Sequence, residues 1–238
     1  MNVLRDKNIL ITGATGGIGS GVAKLLSASG ARLFITGRNA QKLKVVANDC
    51  GIPEQRILVA DISTADGVHT LQQQYFSQME GIDVLVNAAG IGIIKPVEQL
   101  TASDFMQSIQ TNVYAAFMLV QTFLPAMKAA GSGLIINIPG VLGKVPMAGA
   151  AAYCASKYGL MGLMQCVREE VKRTPIRITN LILGGTNSAF WDTIDMKVQR
   201  EKMISAEEAA KAIWFLCQQP AGGVVNEMVL QPFNHQAV

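Results

Sequence analysis

The chain has 238 residues, 50% hydrophobic and 16% charged, which is enough apolar mass for a sizeable core and too much for a disordered chain. Its 20 Lys+Arg against 17 Asp+Glu leave a scattered excess of +3, so no basic face for nucleic acid is visible. Apolar stretches such as Val113–Val120 and Leu134–Ile138 stop short of the ~20 residues of a membrane helix, and no signal-peptide core follows Arg5 and Lys7, so neither membrane insertion nor export is expected.

Short apolar runs then alternate with stretches at helical spacing. Asn8–Thr12 is followed by a Gly-rich turn and by Val22–Ser29 as a helix. Ala31–Thr36 precedes a helix over Ala40–Asp49, and Arg56–Ala60 precedes one over Gly67–Met79. Ile82–Asn87 leads to a long helix over Ser103–Ala130, and Leu134–Ile138 to another over Ala150–Lys172. Ile176–Leu183 is a sixth run and Met228–Gln231 a seventh, at an edge. The runs are rich in Val, Ile and Leu and do not alternate with polar residues, the pattern of parallel strands covered on both faces. The expected fold is α/β: a doubly wound, parallel, seven-stranded sheet with helices on both faces, the Rossmann fold. No linker or repeat divides residues 1–238, so a single domain is expected. The polar segment Thr186–Ser205, with Phe190 and Trp191 embedded, breaks the rhythm after the sixth run. It reads either as a lid over the carboxyl ends of the strands, where ligands bind in such sheets, or as an ordinary surface helix. Cys50, Cys154, Cys166 and Cys217 form no CxxC pair, and His69 and His235 are isolated surface positions. No metal site is expected, and the thiols read as reduced, in a cytoplasmic setting.

The turn after the first run, Thr12-Gly13-Ala14-Thr15-Gly16-Gly17-Ile18-Gly19, opens a helix. Glycines there let a phosphate approach backbone N–H groups at a helix N-terminus. Arg38 follows the second run, where a dinucleotide site usually places an acid on the ribose 2′-hydroxyl. A guanidinium there, with Lys42 as a second cation, suits a 2′-phosphate. NADP(H) is therefore preferred as cofactor, with NAD(H) possible.

With these features the chain resembles the short-chain dehydrogenases/reductases over nearly its whole length. Thr12–Gly19 looks like the family's cofactor loop, and the resemblance places Gly13, Thr15, Gly17, Ile18 and Gly19 on the cofactor. Asp61, next to Ile62, matches the adenine-contacting acid, and Asn87-Ala88-Ala89-Gly90 matches the motif that supports the sheet and lines the cleft. Asn112 matches the catalytic asparagine, and Tyr153-Cys154-Ala155-Ser156-Lys157 matches the YxxxK signature. The tyrosine and lysine lie four apart on a predicted helix and so share a face. A neighbouring ammonium lowers a phenol's pKa, and such a phenol can pass a proton to or from a carbinol oxygen. The resemblance further implies that Lys157 holds the nicotinamide ribose, that Asn112 anchors a water linking Lys157 to solvent, and that a homodimer or homotetramer forms.

Two positions depart from the family. The serine expected thirteen residues before the tyrosine is Gly140, in Pro139-Gly140-Val141, and no Ser or Thr occurs from Pro139 to Ala152. After the sixth run, Leu183 stands for a proline, which predicts a looser loop, and Ser188 stands for a threonine. Thr186 and Ser188 are still expected at the cofactor. The sequence thus reads as an NADP(H)-dependent oxidoreductase moving a hydride between nicotinamide and a small carbonyl or alcohol. Tyr153 is its acid/base, and a substrate hydroxyl, a water or Thr186 supplies the missing donor, or the reduced bond is an imine or activated alkene. The alternative is an NADP(H)-binding sensor or scaffold that turns nothing over.

Overall fold

The computed structural model describes residues 3–220 and 222–235. Its strands are β1 (Asn8–Thr12), β2 (Arg32–Gly37), β3 (Ile57–Val59), β4 (Val84–Asn87), β5 (Gly133–Asn137), β6 (Ile176–Leu183), β7 (Thr186–Asn187), β8 (Ile204–Ser205) and β9 (Glu227–Leu230). Seven form one parallel sheet in the order β3-β2-β1-β4-β5-β6-β9, and β7 pairs with β8. The helices are α1 (Gly17–Ala28), α2 (Ala40–Cys50), α3 (Ala65–Gln78), α4 (Ala102–Ile109), α5 (Ala115–Ala130), α6 (Ala151–Val171) and α7 (Ala206–Leu216).

Alternate strand residues serve two cores, which is why the runs show no polar alternation. Ile9, Ile11, Ile35 and Val86 pack with Val22 of α1, Leu43 of α2 and Ile213 of α7. Leu10, Phe34, Leu85 and Ile135 pack on the other face with Leu71 of α3, Phe123 of α5 and Met164 of α6.

Three expectations about the elements change. The long helix Ser103–Ala130 is α4 and α5 joined by a π-helical turn, Gln110–Tyr114. The combined helix, Ala102–Ala130, is long and apolar enough to cross a membrane by length and composition, which the separate apolar stretches did not suggest. Its Ala115, Leu119, Phe123 and Met127 are instead buried with α3 and the sheet. Second, Thr186–Ser205 is not a surface helix. The β7–β8 pair holds its two ends together, with Ile204 N–H donating to Gly185 O at 3.1 Å. Between them run 3-10 turns at Ala189–Thr193 and Arg200–Lys202, bridged by Arg200 and Asp192 at 2.6 Å. Third, Leu183, expected to begin a loop, is the last residue of β6. It is buried, pairs with Leu230 and extends β6 by one rung, and Gly184 N–H donates to Leu230 O at 2.8 Å.

Candidate active site

The carboxyl ends of the strands open into a cleft of about 1110 Å³. One half is built from the turn between β1 and α1. Side chains cap α2, α3, α4 and α7 through Asn39, Thr64, Thr101 and Ser205, whereas α1 starts at Gly16, and α6 at Ala150, with no side-chain cap. The first residues of α1, Gly17, Ile18 and Gly19, line the cleft, so an anion there can satisfy its free N–H groups. A Cβ on Gly19 would collide with Gly13 O, and one on Gly13 would come within 2.6 Å of Ala89 N. Only glycine lets this turn close on itself and on the β4 end. Gly13, Thr15, Gly17, Ile18 and Gly19 all line the cleft.

Arg38, Asn39 and Lys42 line it beyond β2, opposite Asp61 and Ile62 beyond β3. Asp61 Oδ1 accepts from the Ser63 hydroxyl at 2.7 Å and from Ser63 N–H at 3.0 Å. These bonds, helped by the nearby Arg38 guanidinium, hold its carboxyl below the usual range. The uncapped helix start, the glycine walls and the cations at the β2 end fit a dinucleotide.

Ala88 and Gly90 lie on the cleft wall, as do Thr186 and Ser188. Asn87 lies beneath it, buried, donating through Nδ2 to Asn137 Oδ1 at 2.8 Å and so tying β4 to β5. Asn112 is likewise buried, 2% exposed, because the π-helical turn directs it inward. Its Oδ1 accepts from Ile91 N–H at 2.9 Å, and its Nδ2 donates to Ile91 O and to Ser156 Oγ, each at 2.9 Å. Ser156 Oγ donates in turn to Tyr153 O at 2.7 Å. The Asn112 amide therefore clamps the loop after β4 to the turn of α6 that carries Tyr153. Sequence reasoning missed Ser156, although it sits between Tyr153 and Lys157.

Tyr153 and Lys157 face the cleft together from α6. Lys157 Nζ donates to Ile138 O at 2.9 Å and lies 5.5 Å from the centroid of the Tyr153 ring. The expectation that this ammonium lowers the phenol's pKa is not met. Burial pushes the Tyr153 phenol up, and neighbouring Cys154 adds to the rise. Burial pulls Lys157 down to about 8. Between that value and the ordinary lysine range the unfolded chain keeps a proton that the fold has released. Stability from this group therefore rises with pH across that window, and its burial cost is fully present below it. Lys157→Met removes the dependence. The unfolding free energy of wild type minus that of Lys157→Met, measured in urea at about pH 7 and about pH 10, is expected to rise with pH. A flat difference would count against a buried, proton-shedding Lys157.

Gly140 sits at the cleft at φ 72° and ψ 173°, a backbone region that is essentially glycine's alone. Thr186 Oγ1 donates to Gly184 O at 3.1 Å, so its proton is already engaged. Ser188 Oγ accepts from Phe190 N–H at 3.4 Å. His235, expected at the surface, is exposed yet forms part of the rim. His69 is exposed, with Nε2 3.0 Å from Gln73 Nε2.

The fold and the cleft are those of a dinucleotide-binding α/β protein. The family model described as short chain dehydrogenase matches residues 7–199. An uncharacterized oxidoreductase of Staphylococcus saprophyticus is 31% identical, covering 98% of this chain and 98% of its own. The solved structure of a metagenomic short-chain oxidoreductase in complex with NADP is 30% identical, with a TM-score of 0.84 over 96% of this chain and 98% of that one. An alcohol dehydrogenase of the archaeon Thermococcus sibiricus, complexed with 5-hydroxy-NADP, shares the fold at 23% identity, with a TM-score of 0.88 over 98% and 100% of the two chains. The chain belongs to the short-chain dehydrogenase/reductase family and is an oxidoreductase.

Proposed function

We propose that this is an NADP(H)-dependent reductase of a small carbonyl compound, working as a single domain with the 186–205 segment over its substrate. One observation carries the reading: Tyr153 and Lys157 stand on the wall of the same cleft that holds the glycine turn and Arg38. The metagenomic relative solved with NADP supports the choice of cofactor. When bound, the cofactor supplies a hydride to the carbonyl carbon. Tyr153 gives its hydroxyl proton to the carbonyl oxygen. Burial holds the phenol in its protonated form, the form that donates in the reduction direction. Lys157 brings positive charge beneath the tyrosine ring, and Asn112 acts as a positioning residue through Ile91 and Ser156.

No serine hydroxyl stands at position 140, and Thr186 is engaged elsewhere, so Tyr153 polarises the carbonyl with help from water or from the substrate itself. Losing one such donor typically costs ~10²–10³ in rate. A slow reductase follows, and Gly140 is also what favours the second reading, a cofactor-binding protein without turnover. NADPH oxidation with a panel of aldehydes and ketones separates the two. Turnover is expected with NADPH ahead of NADH. Tight NADPH binding with no turnover of any compound would favour the second reading.

We further place the subunit contact of a homodimer or homotetramer on α4, α5 and α6, where Phe105, Met106, Phe117 and Tyr158 are exposed. The four cysteines are free thiols, which fits a reducing cytoplasm.

A further inference from the structure

The cleft changes chemistry along its length. Among its described lining residues, the charged side chains are Arg38, Lys42, Asp61 and Lys157, with the imidazole of His235 at the exposed rim. The first three stand at the β2 and β3 ends, and Lys157 is bonded to Ile138 O. Past Tyr153 the walls come from loops after β4, β5 and β6, through Ile94, Val141, Val145, Met147, Met196 and Val198. A carboxylate or phosphate placed there would lose its water and gain little in return, which is costly. An apolar body loses nothing.

The wall nearest Tyr153 is preset. The Phe190 ring lies 5.6 Å from the Tyr153 ring and 5.2 Å from that of Trp191, centroid to centroid. Trp191 Nε1 donates to Thr186 O at 2.9 Å, fixing the indole. Phe190 also rests directly on Gly92, where a Cβ would collide with its ring. Gly92 in the loop after β4 is thus what admits Phe190 to this position.

We propose that the substrate is an uncharged, apolar carbonyl compound, and that Phe190, seated on Gly92, is the residue that selects it. This rests on the reductase reading above. It is tested on the NADP⁺-loaded protein in a Trp214→Phe background, which leaves Trp191 as the fluorescent reporter in the cleft. Acetophenone and 4-acetylbenzoate, alike except for a carboxylate, are titrated against Trp191 emission and then assayed as substrates with NADPH. Acetophenone is expected to bind on the order of 100-fold more tightly. Phe190→Ala is expected to weaken acetophenone ~10-fold, as loss of an apolar wall does, with NADPH affinity unchanged. Equal or tighter binding of the carboxylate overturns the proposal, as does failure of acetophenone to bind at millimolar concentration. Selective binding of acetophenone without turnover upholds the proposal for the pocket and counts only against the reductase reading.

Discussion

Tyr153→Phe is expected to cut NADPH-dependent carbonyl reduction by ~10²–10⁴-fold, the usual worth of a positioned general acid, while NADPH affinity changes only slightly. The substitution removes one oxygen and keeps the ring. Contact with Phe190 at 5.6 Å and with the Lys157 ammonium at 5.5 Å is therefore retained. Ser156 Oγ still accepts from Asn112 and donates to the main-chain carbonyl of residue 153, so the clamp between the β4 loop and α6 is untouched. The loss falls on the proton and not on the architecture. With no serine at position 140 to share the carbonyl oxygen, the tyrosine bears more of the polarisation, which argues for the upper part of that range. Steady-state kcat with NADPH in excess, beside a binding titration, checks it. A variant as fast as wild type would show that the proton comes from elsewhere.

Arg38→Asp is expected to weaken NADPH binding by about 100-fold and to strengthen NADH binding, reversing the preference. Hydrogen bonds to charged groups contribute ~1.5–3 kcal/mol, and ~2.7 kcal/mol corresponds to about 100-fold in affinity. The aspartate would add repulsion toward a 2′-phosphate and at the same time offer an acceptor to a free 2′-hydroxyl. Asp61 gives a second readout. The Arg38 guanidinium helps hold its carboxyl low, so Arg38→Asp raises that carboxyl even without cofactor. Calorimetric titration with both dinucleotides checks the first effect. Equal weakening of NADPH and NADH would place Arg38 away from the 2′ position.

The sheet was legible because its strands are buried on both faces, and Ile9, Leu10 and Ile11 must then all be apolar whichever core each one meets. The glycine turn was legible because close backbone packing admits one residue type, and Tyr153 and Lys157 because helical spacing fixes a shared face. The interruption at Gln110–Tyr114 was not, since a π-helical turn alters hydrogen-bond register without changing the residue pattern. The 186–205 excursion was half legible. Its Phe190 and Trp191 stood out, but two-residue strands such as β7 and β8 carry too little periodicity to announce themselves. The direction of the Tyr153 shift was missed because spacing reports nearness to a lysine, whereas the phenol responds to how much solvent both groups have lost.

Gly140 also bears on how this active site can change. Its backbone conformation at φ 72° and ψ 173° costs a side-chain-bearing residue ~1–3 kcal/mol. A single codon change to serine would therefore land a hydroxyl on a strained backbone, aimed by a geometry that suits no side chain. Full use of a serine there would also need the backbone of the loop from Pro139 to Lys144 to adjust, so that the strain is relieved and the hydroxyl is aimed. The same backbone that leaves position 140 without a hydroxyl also strains any side chain placed there, which leaves water and the substrate as the donors beside Tyr153.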